Sequence, residues 1–217
     1  MKCVHGLVPF LLLASGCASA ARDLDAASDY LPFEIGRTWV YEITDERGAV
    51  FRLATELKGG DVRSMQGEER VRFMFVYGTP AGIDHDITKS IYALPSTGPC
   101  EYYFDGMTWS LWHKPAIPLF PPVVAVGNEI AWRGKVKYDD DELEATAQVR
   151  VDGIETLQTP SGALESVRTR TVYKSVPLVV TRWFARGIGL VKMEMQAAGT
   201  TTSARLLSHA SPAPRSD

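Results

Sequence analysis

The sequence predicts an all-β domain: a strongly curved antiparallel sheet, half-barrel or barrel, with few or no helices. Apolar and polar residues alternate with a period of two in segment after segment. β-Branched and aromatic residues are frequent in those segments, and Gly, Pro and Asp clusters separate them at hairpin spacing. No window of a dozen residues holds a helical stripe.

Residues 38–43 (T-W-V-Y-E-I) open the series, the 45–48 turn (D-E-R-G) reverses it, and 49–57 run back to a second turn at 58–61 (K-G-G-D). Residues 70–77 set Val71, Phe73, Phe75 and Tyr77 on one face, with Arg70 and Arg72 opposite. Further strands are expected at 129–138, 144–151, 164–175, 178–185, 190–197 and 200–208. Single helical turns are expected at 30–35 and 141–146. This makes about eight to ten strands in one antiparallel domain. A faint internal echo pairs Ile35-Gly36-Arg37-Thr38-Trp39 with Val126-Gly127-Asn128 running to Trp132, and Thr79-Pro80-Ala81-Gly82 with Thr159-Pro160-Ser161-Gly162. Gly and Pro turns recur in β proteins, so the echo is weak evidence of duplication.

Ahead of the domain lies a presequence. Lys2 supplies a positive start, and residues 7–14 form an apolar run broken by Pro9. Spanning a bilayer takes about 20 apolar residues; this run has the length of a signal-peptide core. It ends in Leu13-Ala14-Ser15-Gly16-Cys17, which resembles a bacterial lipobox, with Ala14 where Leu is commonest. The resemblance implies cleavage after Gly16 and diacylation of Cys17, and Ala18 rather than Asp behind it implies the outer membrane. A plain secretory cleavage at Ala18-Ser19-Ala20 is the competing reading, and the placed cysteine favours the lipobox. The expected organisation is a signal peptide at 1–16, a lipidated cysteine and flexible tether at 17–29, a β domain at 30–209, and a disordered tail at 210–217. The chain is then a lipid-anchored cell-envelope protein, its membrane partner reached through the N-terminal lipid.

Composition narrows the function. The 217 residues are 45% hydrophobic and 23% charged, the balance of a folded domain. The net charge of −3 falls to −4 without residues 1–16, so no nucleic-acid partner is expected. Cys3 leaves with the presequence and Cys17 carries the lipid. Cys100 is then alone, excluding an internal disulfide and a cysteine-built zinc site, and it reads as a small buried hydrophobe.

Three segments carry a family resemblance: Tyr30-Leu31-Pro32-Phe33 to Gly36 with Trp39 and Tyr41; E-T-L-Q-T-P-S-G at 155–162; and W-F-A-R-G-I-G-L-V-K at 183–192. Together they resemble a family of uncharacterised bacterial exported proteins, across the whole mature domain with residues 83–126 least typical. The resemblance implies a curved antiparallel sheet similar to the half-barrel carriers of lipoproteins and lipids, and it implies no activity. Gly187 and Gly189 read as hairpin glycines and Trp183 as a core residue.

No catalytic, cofactor or metal motif is present. Gly187-Ile188-Gly189 lacks a third glycine and a following helix, so it is no dinucleotide loop. Asp84-His85-Asp86 reads as a solvated loop, and Asp139-Asp140-Asp141-Glu142 as a charged hairpin tip rather than a calcium site. Cys100 with His85 or His113 would need imidazole within reach, and a triad assembled across strands would need geometry that spacing cannot supply. No enzyme, catalytic residue or cofactor is therefore expected.

Residues 102–124 stand apart. They hold Tyr102, Tyr103, Phe104, Trp109 and Trp112, then an apolar stretch with four prolines that is expected not to form a central strand. Such a loop either folds back to plug one end of the sheet or forms a hydrophobic mouth for a ligand, partner or membrane. On the second reading Trp109, Trp112, Ile117, Leu119, Phe120 and Val123 are the contact residues. Replacing Leu119 and Phe120 by Ser would then abolish ligand binding. Two functions follow: an envelope protein holding an apolar, lipid-like ligand, or an assembly lipoprotein docking another envelope protein through its sheet edge or Pro-rich loop. A hydrolase with an unrecognised site is a third.

Overall fold

The computed structural model describes residues 27–64, 70–105, 110–138 and 141–212. After a short 3-10 turn at Ala27–Tyr30 come twelve strands: β1 (Thr38–Thr44), β2 (Val50–Ser64), β3 (Arg70–Pro80), β4 (Thr88–Leu94), β5 (Cys100–Asp105), β6 (Ser110–Pro118), β7 (Glu129–Tyr138), β8 (Asp141–Thr159), β9 (Gly162–Tyr173), β10 (Leu178–Ala185), β11 (Gly189–Ala197) and β12 (Thr200–Ala210). Each pairs antiparallel with its sequence neighbours, and β1 pairs with β12, so the sheet closes into an up-and-down barrel. Closure leaves no edge strand, the hazard of an open sheet.

The alternation that predicted strands also sets the two faces of the wall. Along β11, Val191, Met193 and Met195 are buried while Lys192 and Glu194 point out. Along β8 the buried series is Ala145, Ala147, Val149 and Val151. Eight strands leave a lumen that side chains just fill. Twelve enclose more, and here Trp39, Tyr41, Met74, Trp132, Tyr173 and Met193 fill its middle.

Because the chain runs up and down, turns alternate between the ends. Those after β1, β3, β9 and β11 gather at one end, with the last residues of β5 and β7. The N-terminal turn and the connections after β4, β6, β8 and β10 gather at the other, with the first residues of β3. That second end is closed by Ala27, Tyr30, Leu31, Leu119, Phe120 and Val124, packed over Val151, Val167 and Phe184. Phe120 lies 4.7 Å from Phe184 and 5.7 Å from Tyr30, ring centroid to centroid.

The segments that carry the family resemblance meet at this closed end. The β11–β12 ladder begins only at Lys192, so the Ile188 and Leu190 carbonyls lie beyond it. Trp39 Nε1 donates to Ile188 O (2.6 Å) and Tyr41 Oη to Leu190 O (2.9 Å). Arg37 donates to Gly187 O (2.8 Å), while Arg186 pairs with Asp29 (2.7 Å). The start of the domain is thus clasped to the β10–β11 turn, whose Gly187 and Gly189 have φ of 69° and 104° that side chains resist.

Several expectations change. The helical turn falls at Ala27–Tyr30 rather than 30–35, on residues partly assigned to the tether. Residues 141–146 belong to β8, held in register by β7 from Tyr138↔Asp141 onward. The Pro-rich segment does contain a strand between two neighbours. β6 tolerates Pro115 and Pro118 because its ladder to β7 spans only Leu111–Lys114, and its pairing with β5 is irregular between Trp112 and Ile117. A proline nitrogen there interrupts no ladder bond.

Half of the internal echo is structural. Gly36 N–H donates to Leu57 O and Leu57 N–H to Arg37 O, at 2.8 and 3.0 Å; Gly127 and Asn128 make the same two bonds with Val151, both at 2.9 Å. Both glycines have φ of 90°, and each is followed by a bulge in the partner strand, at Leu57/Gly59 and Val151/Gly153. The barrel therefore starts its first and seventh strands alike. The other pair is not equivalent, since Thr79-Pro80-Ala81-Gly82 ends β3 at the open end and Thr159-Pro160-Ser161-Gly162 joins β8 to β9 at the closed one.

Candidate functional site: the open mouth and the polar layer beneath it

At the end opposite the plug the lumen opens into a cavity of about 590 Å³, within the range of small-molecule sites. Its wall is Leu111, Val136, Leu143, Val176, Leu178 and Met195, and Glu46, Arg47 and Asp141 also line it. The sequence builds this wall by alternation. Leu111 is the mouth-end inward position of β6, Val136 lies one inward step deeper on β7, and Leu178 starts β10 after the Val176-Pro177 turn.

Deeper in, the inward positions turn polar. Along β10 the inward series runs Leu178, Val180, Arg182, Phe184, so a guanidinium occupies the third place of an otherwise apolar face. Arg182 Nη2 donates to both carboxylate oxygens of Glu101 at 2.9 Å, and both side chains are under a tenth exposed. β5 and β10 lie five places apart in the barrel order, so the ion pair crosses the lumen. A second strut crosses beside it: His113 Nε2 and Tyr173 Oη are 2.7 Å apart, on β6 and β9. Trp132 stands edge-on to the His113 ring at 5.7 Å, and the buried Thr169 and Thr171 complete the belt.

Burial controls the titration of His113, Tyr92 and Tyr173. Desolvation, reinforced by the Arg182 charge, holds the His113 imidazole down at about 3, so it is neutral. Burial and then the Glu101 carboxylate push Tyr92 up to about 12, and burial raises Tyr173 as well. The His113 shift has a definite sign. Its folded value lies below the ordinary 6.5, so the stability of the neutral form is complete above pH 6.5 and is lost as pH falls toward 3. Between pH 6.5 and 5, before carboxylates titrate, the protein should lose roughly 2 kcal/mol. Urea midpoints across that interval should fall for the native protein and stay flat for His113→Phe; equal slopes would rule out His113 as the cause.

The residues expected at a hydrophobic contact surface are dispersed by the fold. Leu119 and Phe120 are buried in the closed-end plug, and Val123 is exposed on the loop beside it. Ile117 faces the lumen opposite Glu101. Trp112 is on the outer wall against Tyr103 at 4.1 Å and Tyr102 at 5.5 Å. Trp109 and Cys17, the expected site of lipid attachment, lie outside the described residues.

The other polar candidates separate too. Cys100 packs with Phe73, Ile91, Ala93 and Ala116 on the outer side of the wall, its thiol pushed up to about 12 by burial, while His113 faces inward. They form no thiolate–imidazole pair. Asp86 accepts from Lys58 (2.6 Å) and Thr79 (2.9 Å), whereas His85 faces Asp84. Among the described residues no group of three or more metal-ligating side chains gathers. Sequence reading missed the Glu101–Arg182 pair. Arg182 carried a usable signal, a charge in phase with an apolar alternation. Glu101 carried none, because β5 is short and bulged.

No established protein-family profile matches the sequence, and no curated protein matches it. Solved structures resemble its fold at low sequence identity. A candidate lipoprotein from Parabacteroides distasonis ATCC 8503 is 11% identical, with a TM-score of 0.49, over 86% of this chain and 100% of that one. A candidate exported protein with a YmcC-like fold from Bacteroides fragilis NCTC 9343 is 9% identical, with a TM-score of 0.41, over 82% and 97%. A β-barrel-like protein of domain of unknown function DUF1849 from Brucella abortus is 9% identical, with a TM-score of 0.36, over 81% and 97%.

Proposed function

We propose that this chain is a lipid-anchored protein of the bacterial cell envelope whose barrel holds an apolar ligand in the cavity at its open end. The observation that carries the reading is the cavity itself: about 590 Å³, walled by Leu111, Val136, Leu178 and Met195, with charges at its edge. An alkyl chain entering it gains about 0.8 kcal/mol per buried CH₂, and the charged edge suits a polar group left at the surface. The lipobox at residues 13–17 supplies the anchor. The N-terminal turn lies at the closed end, and the nine residues between Cys17 and Ala27 reach at most about 30 Å. The anchor thus holds the closed end to the membrane, with the mouth facing away from it. Of the alternative, docking another envelope protein through a sheet edge or the Pro-rich loop, the edge form loses its basis because the closed barrel offers none, and the loop form does not depend on an edge.

Ala197 lines the cavity opposite Leu178, so Ala197→Trp fills it without touching the plug or the ion pair. N-phenyl-1-naphthylamine, an apolar dye that brightens out of water, should bind the native protein saturably and the variant at least tenfold more weakly, with the urea midpoint little changed. Equal affinity for the two proteins would place the ligand elsewhere.

A further inference from the structure

One layer below the cavity lies a buried group whose hydrogen-bonding capacity is not used. His113 lies one inward step, two residues or about 7 Å of strand, below the cavity-lining Leu111, and it pairs across strands with the cavity-lining Val136. It is fully buried, and its Nδ1 has no hydrogen-bond partner among the described residues. The tautomer follows by counting. Tyr173 has one phenolic hydrogen and no other hydrogen-bond partner among the described residues than His113 Nε2. If Nε2 carried the proton, both the phenolic hydrogen and the Nδ1 lone pair would be unmet. If the phenol donates to Nε2, only the Nδ1–H is unmet. The second arrangement leaves one orphan instead of two, and a buried orphan donor costs about 1–3 kcal/mol. Beneath the apolar cavity thus lies a layer holding one unmatched N–H donor.

We propose that His113 is a ligand-binding residue of this cavity, donating from Nδ1 to an uncharged oxygen near the inserted end of an alkyl chain, as in an ester or a long-chain alcohol. This rests on the ligand-holding reading above and adds the chemistry of the ligand. A carboxylate is disfavoured at the same place. It would have to shed its water in an apolar chamber, and the nearby guanidinium of Arg182 is already engaged by Glu101.

The test measures displacement of N-phenyl-1-naphthylamine from the purified protein by methyl laurate, 1-dodecanol, laurate and dodecane. Methyl laurate and dodecanol should bind at least tenfold more tightly than dodecane and than laurate, and their advantage over dodecane should shrink below threefold in His113→Phe. Equal binding of all four overturns the role of His113 while leaving the cavity as a binding site. Failure of all four to bind overturns both. A preference that survives in His113→Phe also overturns the proposal, as does laurate binding best. Should His113→Phe not fold, the native protein still decides: methyl laurate should move the His113 Nδ1 nitrogen-15 resonance and dodecane should not. An unmoved resonance means that the donor meets only buried water.

Discussion

Replacing Glu101 by Gln should destabilise the barrel by about 3–5 kcal/mol, because it leaves the Arg182 guanidinium buried without its counter-charge. Both side chains are nearly inaccessible, and two 2.9 Å contacts join them across the lumen. Arg182→Met should cost a similar amount by stranding the carboxylate. The double variant Glu101→Leu/Arg182→Met replaces both charges with apolar bulk and should lose far less than the sum of the single changes. Urea unfolding of the native protein and these variants gives the coupling directly. Strictly additive losses would show that the charges do not hold each other in the lumen.

Phe120→Ala should remove about 3–5 kcal/mol, the usual cost of emptying a buried aromatic site. Phe120 is 3% exposed and wedged between Tyr30 and Phe184. Its loss opens the closed end, not the mouth. Dye affinity of the folded variant should stay within about twofold of native, since the cavity lies at the other end of the barrel. Weakened dye binding with an unchanged urea midpoint would instead place the ligand at the Pro-rich loop, as its sequence invited.

Where strands alternate cleanly the sequence was readable. The nine segments read as strands all correspond to strands of the barrel, because one face of each meets the lumen and the other meets water. The three that were not read, β4 to β6, lie together in residues 88–118. Their pattern is broken by bulges at Ile91/Tyr92 and between Glu101 and Tyr103, and by two prolines. Their outward face is also aromatic. Phe73, Tyr102, Tyr103 and Trp112 cover one another on the outside of the wall, so both faces look apolar and the period of two disappears. Closure of the sheet was not legible either, since it depends on β1 finding β12 more than 150 residues later. The mouth was hidden for the same reason. Leu111, Val136, Leu178 and Met195 are ordinary strand hydrophobes, and only the topology gathers them around one opening. The Pro-rich loop drew attention because it is conspicuous in one dimension. In three it is a plug, one of the two readings its composition left open.

The claim on which the account turns is that the open cavity carries a ligand in the cell, and native mass spectrometry of the gently purified protein before and after organic extraction tests it most directly. The account predicts extra mass that extraction removes, resolved into a series differing by acyl-chain spacings, and absent from the Ala197→Trp variant. A bare polypeptide mass that does not increase when methyl laurate or dodecanol is added would contradict it.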